Sequence, residues 1–260
     1  MILVLDIGNS QIYGGVFDDD SLVLQFRRAT RAENTSDEFG LFCRQVLREN
    51  DVDPAAITAV AICSVVPDMV HSVRNASMKY FGVRPFILEP GVRTGLKIRY
   101  RNPLEVGPDR IANAIGGLHL HPDQNLIIVD LGTATTFDVV TAKGEYAGGV
   151  IVPGIGISLD ALIARTAKLP RVELAWPPRV VGKTTVHAIQ SGVTYGYTAL
   201  IDGLVAKIRA ENDPTARVLG TGGLAKLIAS QSTTIEAVDE FLTLDGLRLI
   251  YARNGGRDAI

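Results

Sequence analysis

One short phrase occurs twice in this chain and constrains its fold more than any other feature. Val4-Leu5-Asp6-Ile7-Gly8-Asn9-Ser10 returns as Ile128-Val129-Asp130-Leu131-Gly132-Thr133-Ala134. Each copy is an apolar run that ends in Asp-x-Gly-polar and then turns into a second strand-like run. A short apolar run closed by a turn signal reads as a buried strand. The two aspartates stand 124 positions apart in a chain of 260 residues. A repeat at half the chain length predicts a duplicated α/β domain, with halves at 1–122 and 123–260 and a cleft between them.

The rest of the pattern agrees with two α/β halves. Strands are expected at 2–6, 11–17 and 22–28, with Asp18-Asp19-Asp20 as a turn. A helix follows over 36–50, where Thr35 and Glu38 have capping-box spacing and Phe39, Phe42, Val46 and Leu47 form an apolar stripe. Strand 58–64, helix 67–81, strand 85–88 and helix 109–121 complete the first half. The second half restarts with strands 126–130, 135–141 and 145–152 and helix 156–167. A helical stretch over 185–212 is expected to be interrupted by Gly192, Gly196 and Gly203. Strand 216–220 and helices at 223–230 and 244–253 close the chain.

Composition excludes several classes. The chain is 47% hydrophobic and 21% charged, which fits a folded protein and not a disordered one. Net charge is −2 with no long basic run, which argues against nucleic acid as a partner. The two cysteines, Cys43 and Cys63, form no CxxC pair and read as buried reduced thiols. Met1 to Leu5 is too short for a signal h-region, and the uncharged stretch from Tyr146 to Leu159 is broken by glycines and a proline and is shorter than a membrane span. The expectation is a soluble, cytoplasmic protein with no membrane partner.

Glycine is in excess, at 26 residues, and its placement carries the chemistry. Gly8 lets the backbone turn tightly beside a ligand, and the following N–H groups, with Asn9 and Ser10, can donate to phosphate oxygens. Asp6 would repel phosphate on its own, so it needs a cation, most simply Mg²⁺ through water. The second copy, half a chain away and also behind a buried strand, favours this reading over an ordinary hairpin. A third cluster, Gly220-Thr221-Gly222-Gly223, follows a strand, opens a helix and suits a flat ring or a phosphate. Gly182-Lys183-Thr184 is not a P-loop, because Pro177 occupies the required glycine position. Gly154-Ile155-Gly156 is not a dinucleotide fingerprint, because Leu159 stands at the third glycine.

Gly107-Pro108-Asp109-Arg110 opens a helix. Asp109 either caps that helix or accepts a proton from a substrate hydroxyl, and Arg110 can bind a carboxylate or phosphate. Arg110 and the helix terminus would lower the Asp109 pKa and keep it ionised. His119 and His121 are two apart, which puts them on different helix faces and argues against a metal pair. Trp176, the only tryptophan, is expected to pack a loop.

These motifs, in order, resemble type III pantothenate kinase. The resemblance rests on Asp6–Ser10, the run Tyr100 to Arg110, Asp130 to Thr136, Gly148 to Gly154, Ala164 to Pro170, Gly182 to Thr185, Ser191-Gly192 and Thr221 to Gly223, nearly the whole chain. It implies the actin-like, hexokinase-like ATPase fold (ribonuclease H-like), with two related halves and the nucleotide between them. It further implies a homodimer with pantothenate near the subunit interface, and dependence on a monovalent cation, K⁺ or NH₄⁺, beside ATP with Mg²⁺. Carried onto this chain, Asp6, Ile7, Gly8, Asn9, Ser10, Gln11, Ile12, Tyr13 and Thr133 would bind ATP. Tyr100, Gly107, Pro108, Asp109, Arg110 and Thr185 would bind pantothenate, with Asp109 as proton acceptor and Asp130 as the K⁺ ligand. Two positions depart from the family: Ser10 replaces the usual Thr and keeps the hydroxyl, and Thr184 stands where Asn is common. The rival readings are another small-molecule kinase of the same superfold, or a nucleotide-binding regulatory protein without kinase activity. The run from Tyr100 to Arg110 favours a carboxylate-bearing substrate, and the presence of Asp6, Asp109 and Asp130 favours catalysis.

Overall fold

A computed structural model describes residues 1–256. Two compact units form: Met1–Leu120 together with the described residues from Phe241 on, and His121–Glu240.

The first unit begins with strands β1 (Ile2–Ile7), β2 (Gln11–Asp18) and β3 (Ser21–Ala29), helix α1 (Ser36–Glu49) and strand β4 (Ala59–Ser64). Helix α2 (Pro67–Phe81), the short strands β5 (Phe86–Ile87) and β6 (Lys97–Ile98) and helix α3 (Pro108–Leu120) follow. The sheet order is β3-β2-β1-β4-β5, antiparallel on the β1–β2–β3 side and parallel through β1, β4 and β5. Side chains alternate across a strand, and β1 uses both faces. Leu3, Leu5 and Ile7 join a core with Phe39, Leu47, Ile62, Met69 and Val73, whereas Ile2 and Val4 face Ala61, Cys63, Ala112 and Ile115. A strand buried on both faces reads as a continuous apolar run, which is why 2–5 holds no polar residue. The capping box forms as spaced: Thr35 Oγ1 accepts from Glu38 N, and Thr35 N donates to Glu38 Oε2 at 2.8 Å.

The second unit repeats the plan with β7 (Leu126–Leu131), β8 (Ala134–Thr141), β9 (Glu145–Pro153), α4 (Ile155–Ala164), α5 (Thr185–Glu211), β10 (Arg217–Thr221), α6 (Ala225–Ala229) and β11 (Ala237–Val238). Within it the strands run β11-β10-β7-β8-β9. The repeat is legible in the register. Asp6 lies opposite Tyr13 on antiparallel β2 and Cys63 on parallel β4. Asp130 lies opposite Thr136 on antiparallel β8 and Thr221 on parallel β10.

Two expectations change. Helix α5 is continuous over 27 residues and is not interrupted at its glycines. Ile189, Val193, Ile201, Val205 and Ile208 are buried along it, and this packing outweighs the helix propensity lost at Gly192, Gly196 and Gly203. The second difference is the last helix, α7 (Leu242–Arg253), which was expected within a half spanning 123–260. It groups instead with the first unit, because Leu244, Leu247 and Ile250 enter the core that holds Ile2, Val4 and Ala61. Trp176 packs its loop as expected, donating Nε1–H to Leu227 O at 3.2 Å and meeting the Tyr195 ring edge-on. No helix among the described residues is long and apolar enough to cross a membrane.

Candidate active site

The first phosphate-type motif lies where β1 ends. Gly8 N–H donates to Gln11 O at 3.0 Å and closes the turn into β2, with Asn9 and Ser10 exposed at its tip. A Cβ at Gly8 would stand 3.1 Å from Gln11 O, tighter than side chains normally tolerate. The turn therefore presents nearly bare backbone and two small polar side chains, which suits phosphate. Ile7 and Ile12 are fully buried in the core, so only their backbone can meet a ligand. The Tyr13 hydroxyl donates to Gln25 Oε1 at 2.6 Å, and the Arg27 guanidinium lies 4.5 Å from its ring centroid.

Asp6 keeps part of its surface open yet sits deep enough for burial to push its pKa from 3.8 up to about 7. The charge of Asp109 adds to the rise, and a hydrogen bond from the Cys63 thiol opposes it, with Sγ 3.1 Å from Asp6 Oδ1. The fold thus brings Asp6, Cys63 and Asp109 together in one unit. Cys63 is free, fully buried and held well above its ordinary pKa, first by burial and then by both carboxylates. Cys63 is thus the buried thiol its sequence context predicts, and the parallel β1–β4 register, which residue spacing does not encode, sets it beside Asp6.

Asp109 stands in the first turn of α3. Its Oδ1 accepts the Arg110 N–H at 2.8 Å, so the carboxyl folds back onto its own helix. A Cβ at Gly107 would fall 2.4 Å from that oxygen, so glycine is needed for this rotamer. The expected lowering of the Asp109 pKa is reversed. Burial dominates and raises it, while the Arg110 backbone and guanidinium act downward without prevailing. Arg110 is itself buried, at 6% exposure, and Tyr100 and Pro108 are half-buried in the same unit.

The second unit holds the remaining residues. Asp130, the one half-buried residue of otherwise buried β7, lies one residue before the strand ends at the Gly132–Thr133 turn, where Gly132 N–H donates to Ala134 O at 3.1 Å. Gly154 N–H donates to Thr133 O at 3.0 Å, and a Cβ there would meet the same oxygen at 2.2 Å. Gly222 adopts φ +89° and approaches so closely that a Cβ would lie 2.5 Å from Asp130 Oδ1. The Gly132 and Gly222 backbones thus crowd the Asp130 carboxylate, where a Cβ would stand 3.5 and 2.5 Å from Oδ1, and Gly154 packs on the Gly132–Thr133 carbonyls beside it. Thr185 is the first residue of α5 and lines an open cavity of about 740 Å³ with Ser158, Leu162, Lys183 and Tyr197. Thr184 caps that helix, accepting from His187 N at 3.2 Å, a role an Asn would also fill. His119 is exposed on α3, and His121 lies beyond its end.

These features fit a phosphate-bearing nucleotide with a cation. A desolvated carboxylate such as Asp6 is unfavourable as an anion unless positive charge offsets it, and bare glycine backbone admits phosphate oxygens. Within the first unit, a second carboxylate at a helix start adds a group able to take a proton.

Comparison with known proteins agrees. The sequence model described as type III pantothenate kinase matches residues 2–207. A type III pantothenate kinase of Geotalea daltonii is 49% identical over 98% of this chain and 99% of its own length. One from Myxococcus xanthus is also 49% identical, over the same shares. Among solved structures, an activator of 2-hydroxyisocaproyl-CoA dehydratase from Clostridium difficile, with bound ADPNP, aligns with a TM-score of 0.56 at 10% identity, covering 100% of this chain and 97% of that one. A Sinorhizobium meliloti protein assigned as a 2-dehydro-3-deoxygalactonokinase aligns with a TM-score of 0.59 at 15% identity, covering 97% and 99%. At such identities the likeness speaks for the fold alone, the actin-like ATPase fold. With a family match across most of its length and relatives near half identical over nearly all of it, the chain belongs to the type III pantothenate kinase family.

Proposed function

We propose that this chain performs its family's reaction with the residues just described. It transfers the γ-phosphoryl group of ATP to the hydroxyl of pantothenate, giving 4'-phosphopantothenate in the first step of coenzyme A biosynthesis. ATP and a divalent metal follow from membership of the family. Residues 6–13 and Thr133 bind ATP, and Asp6 orients its Mg²⁺ complex. Tyr100, Gly107 to Arg110 and Thr185 bind pantothenate, Arg110 through the substrate carboxylate. When bound, the divalent cation neutralises phosphate charge. Asp130 holds the monovalent cation. The enzyme acts in the cytoplasm, as the sequence reading expects, and as a homodimer, as the resemblance implies.

Phosphoryl transfer passes through a loose transition state, so positioning and charge complementarity do most of the catalysis. Asp109 accepts the hydroxyl proton as the oxygen attacks phosphorus, and ADP leaves. The observation that carries this reading is the convergence of Asp6 and Asp109 in one unit, one beside the glycine turn and the other at a helix start next to Arg110. A raised Asp109 pKa makes it a better base than an ordinary aspartate, provided the working pH keeps it ionised.

The test is ADP release from ATP with and without pantothenate, in K⁺ and in Na⁺ buffer. Pantothenate-dependent ADP that is faster in K⁺ is expected. Asp109→Asn should lower turnover by about 10²–10⁴-fold while ATP still binds. Turnover near wild type in that variant removes Asp109 from its role.

A further inference from the structure

The turn between β1 and β2 has its two flanking carbonyls held by one residue far away in sequence. Thr30, just past the end of β3, donates its hydroxyl to Gly8 O at 2.6 Å and its backbone N–H to Ser10 O at 3.0 Å. Nothing in the proposed chemistry uses Thr30.

The orientation of those carbonyls matters for an anion site. A carbonyl oxygen facing a phosphate repels it, and an amide N–H facing it attracts it. The peptide unit is planar, and the chain contains no cis peptide among the described residues. In a trans unit the C=O and the following N–H point in opposite directions. With Gly8 C=O drawn toward Thr30, the Asn9 N–H is aimed at the opposite side of the turn. Ser10 C=O is drawn the same way as Gly8 C=O. Gly8 is the residue least able to fix this orientation unaided, because its backbone is the most permissive.

We infer that Thr30 is a positioning residue for the phosphate turn: it draws back the Gly8 and Ser10 carbonyls so that the amides at the tip face the nucleotide. This rests on the reading that residues 6–13 bind ATP. The hydroxyl bond is the separable part, because the backbone N–H bond survives any side-chain change except proline.

The experiment compares wild type with Thr30→Val, Thr30→Ser and Asp6→Asn, using calorimetric Kd for Mg·ATP beside KM for ATP, KM for pantothenate and kcat. Thr30→Val keeps the shape and removes the donor; Thr30→Ala repeats the loss with less bulk should the valine fold poorly. The valine variant is expected to bind Mg·ATP about tenfold more weakly, the loss of one well-placed hydrogen bond at a rigid turn. Its KM for pantothenate should stay within about twofold of wild type, and Thr30→Ser should restore Mg·ATP affinity to within about twofold. Wild-type affinity in Thr30→Val, or a serine variant as weak as the valine, overturns the proposal. If Asp6→Asn also binds Mg·ATP like wild type, the assignment of residues 6–13 fails and the Thr30 proposal falls with it. Weak binding in Asp6→Asn with wild-type binding in Thr30→Val overturns the Thr30 proposal alone.

Discussion

Asp6 is set against the stability of the free protein. Its folded pKa of about 7 lies above the ordinary 3.8, so the folded state holds the proton more tightly than the unfolded chain does. The resulting stability is fully present below about pH 4, declines as pH rises through the interval to 7, and is gone above it. The rise corresponds to at most about 4 kcal/mol, reduced by the surface Asp6 keeps open to water. In the proposed site, a cation bound beside the carboxylate would supply the missing compensation. In metal-free buffer with EDTA, Asp6→Asn should therefore be more stable than wild type at pH 8 and nearly equal to it at pH 4. Urea unfolding at both pH values measures this. A stability difference that does not change with pH would show that burial does not disfavour the Asp6 charge.

At the level of elements, the same substitution is expected to act with opposite signs in two helices. A helix-interior glycine normally costs about 1 kcal/mol relative to alanine. Gly203 on α5 is exposed with open space where a Cβ would go, so Gly203→Ala should raise stability by about 0.5–1 kcal/mol. Gly246 on α7 lies against α3, and a Cβ there would stand 1.9 Å from Ala112 O and 3.0 Å from Gly116 N. Gly246→Ala should lower stability by about 2–3 kcal/mol, because the backbone it meets cannot move aside without parting the helices. Thermal or urea unfolding of both variants checks the pair of signs. This contrast also marks what the sequence could reveal. The α1 capping box and the β1 and β7 runs are local patterns, and they form where the residues predict. The continuity of α5 and the docking of α7 depend on buried partners far away in the chain, and residue spacing does not encode those. At the site, the glycine turns and Asp109 are legible because their motifs are contiguous. Cys63 and Thr30 are not, because strand pairing brings them to the turn from 57 and 22 positions away.

The molecule as a whole returns its C-terminal helix to the unit that its first strand begins. Leu242, Leu244, Leu247 and Ile250 on α7 are each fully buried, and the last three pack with Ile2, Val4, Ala61 and Ala112. The Thr243 hydroxyl donates to Asn113 Oδ1 at 2.7 Å across 130 positions, inside the same unit. At roughly 1.5–3 kcal/mol per buried side chain, the four apolar residues contribute about 6–12 kcal/mol. That is comparable to the whole stability of a typical domain, about 5–15 kcal/mol. The first unit, with Asp6 and Asp109, is therefore incomplete until α7 (Leu242–Arg253) is in place. Truncation after Glu240 should collapse hydrogen-exchange protection in β1, β2 and β4, where α7 covers one face of the sheet. Amides of β7, β8 and β10 should lose far less, because their core draws on residues 127–238 alone. Equal loss in both sets of strands would mean that the two units fold as one cooperative body, and undiminished protection in β1 would mean that α7 is not required for the first core.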